Sequence, residues 1–311
     1  MKQFLIIMSL ITSLVCQAND NENFIASDIL KSMKAGDKAA ILMVYFGSTH
    51  DDTRELTIDV LNRKVKELFK DIEIRDAFTS RIVIRLLKER DIEKFNPVDA
   101  LKKLKNDGYT HVIVQSANII EGVEMEALRR DIYVMEDEFK DIRIGNPLLY
   151  SPEDYKDVIK ALIPDLGSQA STNVTTIWVG HGAYSPATAQ YAMLDYMLKT
   201  AGHKNYYVAT VEGYPSLDDV LEQLGSRIVK KVLLRPFMFV AGDHAKNDIA
   251  ADMKEALESK GYQVDVQMTG LGEDSKIQDI FIKRIRFSFH HKMIDIIKKK
   301  KDYETTDKNQ H

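Results

Sequence analysis

Three strand-like segments of this sequence end on side chains that bind metals. His181 closes the run TTIWVGH, Glu212 closes YYVATVE, and His244 closes KVLLRPFMFVAGDH. Neutral imidazole nitrogen and carboxylate oxygen both suit divalent first-row metal ions. In an open α/β sheet, ligands bind in the crevice beyond the carboxyl ends of the strands. The residue types therefore predict a metal site, and their positions predict that it lies at one edge of a sheet.

These segments belong to a regular alternation of strand-like and helix-like patterns. Ala39–Gly47 is a continuous apolar run, as expected for a parallel strand that is buried on both faces. The alternation fills residues 38–163, stops at a polar linker rich in turn-forming residues at 164–174, and resumes over 175–300. The chain is therefore expected to have two halves of similar design.

Alternating βα units with short connections predict a parallel sheet in each half, wound with right-handed crossovers. The expected fold class is α/β, with two similar half-domains, each a parallel sheet flanked by helices, and a cleft between them. The second half is expected to end in a long helix from Asp274 to about Lys300. Residues 301–311 are polar and are expected to form a disordered tail.

The two halves also match each other as an internal duplication. Tyr45–Thr49 corresponds to Trp178–Gly182, and Ile120–Glu124 corresponds to Val240–His244. The cleft between the halves would then collect the chemically active side chains of both repeats, which are Ser48, Glu124, His181, Glu212 and His244.

Composition excludes some classes of function. The chain has 311 residues, 29% of them charged, and a formal net charge of −4, so it has no basic excess of the kind that nucleic-acid binding requires. It also has no phosphate-binding glycine loop, so no nucleotide cofactor is expected. Whether the chain forms a homo-oligomer is left open.

The first residues have the layout of a secretory signal peptide. Met1–Gln3 is a short cationic start, Phe4–Val15 is apolar but too short to span a membrane as a helix, and small residues precede a cut after Ala18. The only cysteine, Cys16, lies in this segment, and its acylation in a lipoprotein is the weaker alternative. A polar lead-in at 19–37 follows. These features predict a periplasmic protein without disulfides.

Several motifs together resemble one known family, the anaerobic sirohydrochlorin cobaltochelatases of the class II chelatases. The motifs are FGSTHDDTR at 46–54, VQS at 114–116, IIEGVE at 119–124, VGHG at 179–182, VEGYP at 211–215 and VAGDHAKND at 240–248. The resemblance implies two similar α/β halves that enclose a tetrapyrrole, and insertion of Co²⁺ into sirohydrochlorin on the way to cobalamin. It places the metal-binding residues on His181, Glu212 and His244, and a further active-site acid on Glu124.

The chemistry of metal insertion agrees with this set of residues. Two imidazoles and one carboxylate leave open coordination positions, so the metal can pass to pyrrole nitrogens. The macrocycle loses two N–H protons, for which Glu124 is the candidate base, with His181 or His244 taking a proton afterwards. Backbone amides that precede helices are expected to bind the peripheral carboxylates of the ring. The expected substrate-binding residues are Phe46, Gly47, Ser48, Thr49, Arg54, Gly180 and Gly182.

Each assignment has a simpler alternative. His181 would be a local hydrogen-bonding residue, His244 a helix cap, Glu212 a solvated strand-end charge, and Glu124 a first-turn acid that the helix dipole favours. Fe²⁺ or Ni²⁺ is an alternative metal. An alternative to the enzyme is a periplasmic carrier of haem, another tetrapyrrole or metal on the same scaffold, which would keep the histidines but would not need Glu124.

Overall fold

The computed structural model describes residues 23–163, 174–225, 231–242, 245–296, 299–301 and 303–304. The predicted signal peptide, all but the last residue of the predicted linker, His244 and most of the predicted tail lie outside the described residues. Within the described ranges, no helix is long and apolar enough to cross a membrane.

Strands and helices alternate along the chain as the sequence predicts. The strands are β1 (Phe24–Ala26), β2 (Ala39–Tyr45), β3 (Glu73–Phe78), β4 (His111–Ser116), β5 (Asp141–Gly145), β6 (Val174–Gly182), β7 (Tyr206–Glu212), β8 (Lys231–Pro236), β9 (Gln263–Val266) and β10 (His291–Met293). The α-helices are α1 (Asp51–Arg54), α2 (Val60–Leu68), α3 (Arg81–Lys88), α4 (Pro97–Asn106), α5 (Val123–Met135), α6 (Pro152–Leu162), α7 (Ala189–Thr200), α8 (Leu217–Leu224), α9 (Lys254–Ser259) and α10 (Ser275–His290). π-Helical segments precede α2 and α9, at Glu55–Asp59 and Ala245–Met253.

Eight of these strands form two parallel sheets with the same topology. The first sheet has the order β3-β2-β4-β5 and the second has the order β7-β6-β8-β9. In each half, therefore, the first strand of the sheet pairs with the second on one side and the third on the other, and the fourth lies at the edge. This repeated order confirms the α/β fold class and the duplication predicted from the motifs.

Successive side chains of the central strands point to opposite faces of the sheet and pack into separate apolar cores. In β2, Leu42 packs into the outer core of the first half, whereas Met43 packs into a large cluster that also contains Trp178 of β6. Ile177 packs into the outer core of the second half. Each sheet is thus buried on both faces, which is why its central strands are continuous apolar runs. The large cluster joins the two halves, since it takes residues from both sheets and from α10.

The C-terminal end differs from the sequence prediction. The last long helix ends at His290 and not near Lys300, because His291–Met293 form β10 and pair antiparallel with β1. The predicted polar lead-in therefore contains a strand. The helix α10 also packs against α6 and the strands β4 and β5, so it covers the sheet of the first half although it follows the second half in sequence.

Candidate active site

The loop after β2 is tight and buried. Gly47 has a φ of +102°, and a Cβ there would lie 2.6 Å from the ring of Phe78, so only glycine fits. Ser48 is buried, and its hydroxyl accepts a hydrogen bond of 3.2 Å from the backbone N–H of His50. The sequence-predicted residues Gly47 and Ser48 therefore form a fixed turn at the carboxyl end of the strand.

The other predicted residues of this loop are placed differently from one another. Phe46 follows the carboxyl end of β2 directly and is exposed. Thr49 is half-buried, and its carbonyl accepts a hydrogen bond of 2.6 Å from Nη1 of Arg90. Phe46 thus offers an apolar surface, whereas the backbone carbonyl of Thr49 is bonded to Arg90, just after α3.

Arg54 is turned into the protein. It is buried, and its Nη1 donates a hydrogen bond of 3.0 Å to the carbonyl oxygen of Ser48, while its Nη2 contacts the carboxylate of Asp51. Hydrogen bonds from Arg54 and Arg90 hold the pKa of Asp51 below its usual value. The observed contacts of Arg54 support the Ser48 loop, and a contact between its guanidinium and a substrate carboxylate stays a prediction.

His181 lies near the end of β6 between two glycines that the packing requires. An added Cβ at Gly180 would overlap the ring of the buried Tyr191, and one at Gly182 would overlap the carbonyl oxygen of Glu212. His181 itself is half-buried, with its Nδ1 3.3 Å from the carbonyl oxygen of Gly182. Burial raises the pKa of Tyr191 to about 12, although a backbone hydrogen bond with Gly182 acts in the opposite direction. Tyr191 therefore packs beneath the segment that carries His181.

The anion-binding prediction for this segment needs a correction. Gly180 and Gly182 are part of β6, and a 3₁₀ turn at Pro186–Thr188 intervenes before α7 begins at Ala189. The glycine amides therefore do not lie directly at a helix N-terminus, as the sequence pattern suggested.

Glu212 is the last residue of β7 and is half-buried. The strand register aligns it with Gly182, one residue beyond His181. Side chains alternate along extended strands, so His181 and Glu212 meet one ligand only where the strands end and the chain turns. Such a turn follows at once, because Gly213 has a φ of +84° and an added Cβ there would overlap the carbonyl oxygen of Ala183.

Glu124 lies in the first turn of α5 and is half-buried. The N-cap residue, Gly122, has no side chain that could cap the helix. The helix dipole also stabilises a negatively charged side chain in this first turn. The loop before it is firmly held, since Glu121 pairs with Arg129 at 2.5 Å and its backbone N–H donates a 3.0 Å hydrogen bond to Oε1 of Gln190. Gln190 belongs to α7, so this bond joins the two halves beside Glu124.

Two further contacts bring the halves together at the same edge. A Cβ at Gly242 would lie 3.9 Å from the hydroxyl oxygen of Ser48, so the loop after β8 faces the loop after β2. Nζ of Lys246 is 3.3 Å from Nδ1 of His50. The pKa of Asp52 is lowered, first by a hydrogen bond from the backbone of Thr53 and also by the positive charge of Lys246. The carboxyl ends of both sheets thus face each other, as the duplication predicted.

His244 lies outside the described residues, directly before the described Ala245. Among the residues that the structure does describe, no three His, Cys, Asp or Glu side chains are grouped so that they could hold a metal ion. The structure thus brings His181 and Glu212 to adjacent strand ends, and metal coordination by His181, Glu212 and His244 stays a prediction.

Sequence reasoning missed three residues that shape this edge. Tyr191 supports the His181 segment, Gln190 links the halves, and Lys246 reaches the loop after β2. Lys246 lies inside the motif VAGDHAKND, so its position was visible, but its contact was not. Tyr191 and Gln190 carry no sequence signal, because their roles depend on how α7 packs.

Comparisons with known proteins find sequence relatives over most of the chain. The model of the family described as cobalt chelatase (CbiK) matches residues 39–290. The sirohydrochlorin cobaltochelatase of Salmonella typhimurium is 37% identical over 253 residues, which cover 80% of this chain and 95% of that protein. The sirohydrochlorin cobaltochelatase CbiKC of Nitratidesulfovibrio vulgaris is 31% identical over 254 residues, which cover 80% of this chain and 89% of that protein.

Solved structures show the same fold at low sequence identity. SirB from Bacillus subtilis with Fe³⁺ superposes with a TM-score of 0.56 and 15% identity, and the match covers 81% of this chain and 95% of that one. CbiX, described as the terminal enzyme of sirohaem biosynthesis in denitrifying bacteria, gives a TM-score of 0.51 and 15% identity, with 80% and 99% covered. These matches support the architecture of two sheets.

Proposed function

The chain belongs to the cobalt chelatase (CbiK) family, and from that premise we propose that it inserts Co²⁺ into sirohydrochlorin. One observation carries the proposal: the family match over residues 39–290 contains every candidate site residue, from Phe46 to His244. In the reaction, two pyrrole N–H bonds break, metal–nitrogen bonds form, and two protons are released. No oxidant, reductant or nucleotide is consumed.

The metal is held by side chains at the ends of β6, β7 and the segment after β8. His181 and His244 supply imidazole nitrogen, and Glu212 supplies carboxylate oxygen. Three protein ligands leave positions open for water and then for the pyrrole nitrogens, so the ion is bound without being caged. The glycines beside His181 support this role, because their close packing against Tyr191 and the carbonyl oxygen of Glu212 fixes the segment that carries the imidazole.

The protons are taken by a base on the opposite half. Glu124 is half-buried at the start of α5, and the bond between Glu121 and Gln190 holds its loop against the second half. In the proposed reaction, a carboxylate at this position accepts a pyrrole proton as the metal–nitrogen bonds form. The buried turn at Gly47 and Ser48 supplies backbone amides for the carboxylates at the rim of the ring.

The test is anaerobic absorbance spectroscopy of the protein that begins at Asn19, mixed with sirohydrochlorin and one metal at a time. We expect conversion to the cobalt complex to be faster than in the protein-free mixture, and faster than conversion with Fe²⁺ or Ni²⁺. His181→Ala should abolish the conversion while the circular dichroism spectrum stays unchanged. Normal turnover by that variant would remove His181 from the site, and a higher rate with Fe²⁺ would make iron the substrate.

The N-terminal sequence favours a second candidate, a periplasmic carrier of haem or another tetrapyrrole. A signal peptide at residues 1–18 would export the protein from the compartment in which tetrapyrroles are ordinarily made. Titration with haem separates the two functions: the carrier predicts a stoichiometric haem spectrum that His181→Ala removes, with no turnover of sirohydrochlorin. The enzyme predicts turnover.

Export itself is part of the proposal and has its own test. When the full chain is produced in a bacterium, the periplasmic fraction should contain a protein whose first residue is Asn19. Retention of Met1 in the cytoplasmic fraction would contradict export. Incorporation of a labelled fatty acid at Cys16 would instead identify a lipoprotein.

A further inference from the structure

Two tyrosines stand out at the edge that carries the candidate metal ligands. Tyr184 is 86% exposed and follows His181 by three residues, while Tyr214 is 51% exposed and follows Glu212 by two. Single exposed aromatic residues are common on protein surfaces and need no explanation. Two exposed tyrosines in neighbouring loops directly after the candidate ligands do require an explanation. We refer to Tyr184 and Tyr214 as the tyrosine ledge.

The loops that carry the ledge are bonded to each other. The hydroxyl of Thr188 donates a hydrogen bond of 2.7 Å to the carbonyl of Tyr214 and accepts one of 3.0 Å from its backbone N–H. The residues before the two tyrosines are in direct contact as well, because Gly213 leaves no room for a Cβ beside the carbonyl oxygen of Ala183. The ledge is therefore attached to a rigid pair of loops, although its rings face solvent.

Hydrogen bonds also fix the ledge relative to the second sheet. The backbone N–H and the hydroxyl of Thr210 both bond to the carbonyl oxygen of Pro215, at 2.7 and 2.8 Å. Ser216 then caps α8 in a reciprocal capping box with Asp219. Tyr214 thus lies between a strand end and a capped helix, so its backbone position is set with respect to Glu212.

The first half presents apolar side chains at the corresponding strand ends. Phe46, after β2, is 45% exposed, and Val123, after β4, is 58% exposed. The hydrogen bond from Glu121 to Gln190 holds the loop before Val123 against α7, which follows the loop of Tyr184. Exposed apolar or aromatic side chains therefore follow strand ends in both halves.

We propose that the tyrosine ledge is the stacking surface for one face of the tetrapyrrole, and that it sets the affinity for the ring and not for the metal. This inference rests on the proposed function. A conjugated macrocycle is flat and apolar on its faces and charged at its rim, so rigidly held aromatic rings suit its faces, and backbone amides suit its rim. Stacking needs the rings and not the hydroxyl groups, so phenylalanine should replace tyrosine without loss.

The experiment compares three forms of the full chain with the wild type. They are the double variant Tyr184→Ala/Tyr214→Ala, the double variant Tyr184→Phe/Tyr214→Phe, and Tyr196→Ala. Tyr196 is a matched control, since it is 68% exposed but lies on the outer part of α7, away from the strand ends. Circular dichroism establishes that each form is folded.

Binding of metal-free sirohydrochlorin is measured anaerobically by quenching of Trp178, the only tryptophan in the chain. Binding of Co²⁺ alone is measured from its absorbance. In the alanine double variant we expect the Kd for sirohydrochlorin to rise about 10- to 100-fold, which corresponds to the loss of two aromatic contacts. The Kd for Co²⁺ should stay within about twofold. The phenylalanine variant and Tyr196→Ala should both resemble the wild type.

Three outcomes would overturn the inference. An unchanged Kd for sirohydrochlorin in the folded alanine variant removes the ledge from the ring site, and equal loss of Co²⁺ binding makes it part of the metal site. If the alanine double variant differs from the wild type in molar mass by light scattering, but not in its Kd for sirohydrochlorin, the ledge is an interface between copies of the chain. If instead the wild type itself binds no sirohydrochlorin, the proposed function fails and not merely the ledge.

Discussion

At the residue scale, the two glycines beside His181 are required for different reasons. At Gly180 the obstacle to a side chain is the buried ring of Tyr191. At Gly182 the obstacles are the carbonyl oxygen of Glu212 and a φ of +87°, which side chains rarely adopt. The motif VGHG therefore reflects packing beneath and beside the histidine as much as access for a ligand.

Gly182→Ala should destabilise the protein well beyond the cost of its backbone conformation. Gly202→Ala is the matched control, since Gly202 has a φ of +89° but open space within 4 Å. Urea unfolding should show a loss for Gly182→Ala that exceeds the loss for Gly202→Ala by about 1–3 kcal/mol, because only the first substitution forces atoms to overlap. Equal losses would mean that Glu212 and Gly182 can move apart at no cost.

Glu124→Gln should separate proton transfer from metal binding. If Glu124 is the base, the variant binds Co²⁺ normally but inserts it about two to four orders of magnitude more slowly. Metal titration and single-turnover absorbance measure the two steps. Glu126→Gln is the matched control in the same helical turn, because Glu126 is exposed and pairs with Arg130. Weaker Co²⁺ binding by Glu124→Gln would make Glu124 a ligand instead.

At the element scale, hydrophobic patterns predicted most strands and helices of both sheets. The apolar run Ala39–Gly47 was predicted as a buried parallel strand, and β2 occupies Ala39–Tyr45 of it. The strand-like run that begins at Lys231 continues through Val240 in the sequence, but β8 ends at Pro236, since the apolar residues beyond it pack as a loop in the core. Periodicity reports which residues are buried, but it does not separate the end of a strand from a buried loop.

The pairing of strands that are distant in sequence was not predicted either, because periodicity reports burial and not which segments pair. The strand β10 interrupts a pattern that reads as one long helix, because its partner β1 lies at the other end of the chain. At the candidate site, the strand ends that carry His181 and Glu212 lie side by side, and the role of these residues as metal ligands stays a prediction. The support from Tyr191 and the inward turn of Arg54 depend on tertiary packing, which a single sequence does not record.

Arg143 of β5 ties the terminal strands to the first sheet. Its Nη1 donates to the carbonyl oxygen of Ser27 at 2.6 Å and to that of Ser288 at 3.0 Å, and its Nη2 bonds to Asp141 at 2.7 Å. Burial acts to raise the pKa of Asp141, but the bonds from Arg143 and Lys292 outweigh it and lower the pKa. One guanidinium thus serves three segments.

Arg143→Met should lower the free energy of unfolding by about 3 kcal/mol at neutral pH, because it leaves Asp141 with a weaker partner and several carbonyls unpaired. The lowered pKa means that the stabilising charge of Asp141 is fully present above its ordinary value of 3.8, and is lost as the pH falls through the lower folded-state pKa. Urea unfolding at several pH values should show a smaller loss in acid for the variant than for the wild type. Parallel curves would show that Arg143 does not set this pKa.

At the scale of the whole molecule, the two halves share their largest apolar core. The ring centroids of Tyr45 and Phe239, from opposite halves, are 5.4 Å apart, and Phe239 also packs at 5.7 Å against Phe281 of α10. Because α10 follows the second sheet but covers the first, neither half completes its core from its own residues. The cleft is therefore bordered by halves that are held together on the side of this core.

We expect the halves to unfold together in one transition. Far-ultraviolet circular dichroism and the fluorescence of Trp178 should give the same midpoint in urea. Phe281→Ala should lower both midpoints together, with a loss of about 3–5 kcal/mol in the free energy of unfolding. Tyr303→Ala, at an exposed position, is the control and should shift neither. Two separate midpoints would show that each half is an independent folding unit.

The pairing of β1 with β10 also shows how the chain can be circularly permuted. Phe24, the first residue of one strand, lies opposite Met293, the last residue of the other. A linker of a few residues could join them and close residues 24–293 into a ring, so that new ends can be opened at an exposed turn such as Gly202. In such a circular permutant β7, β8, β9 and α10 would precede the first half in sequence, and β6 and α7 would follow it, while both sheets would be kept.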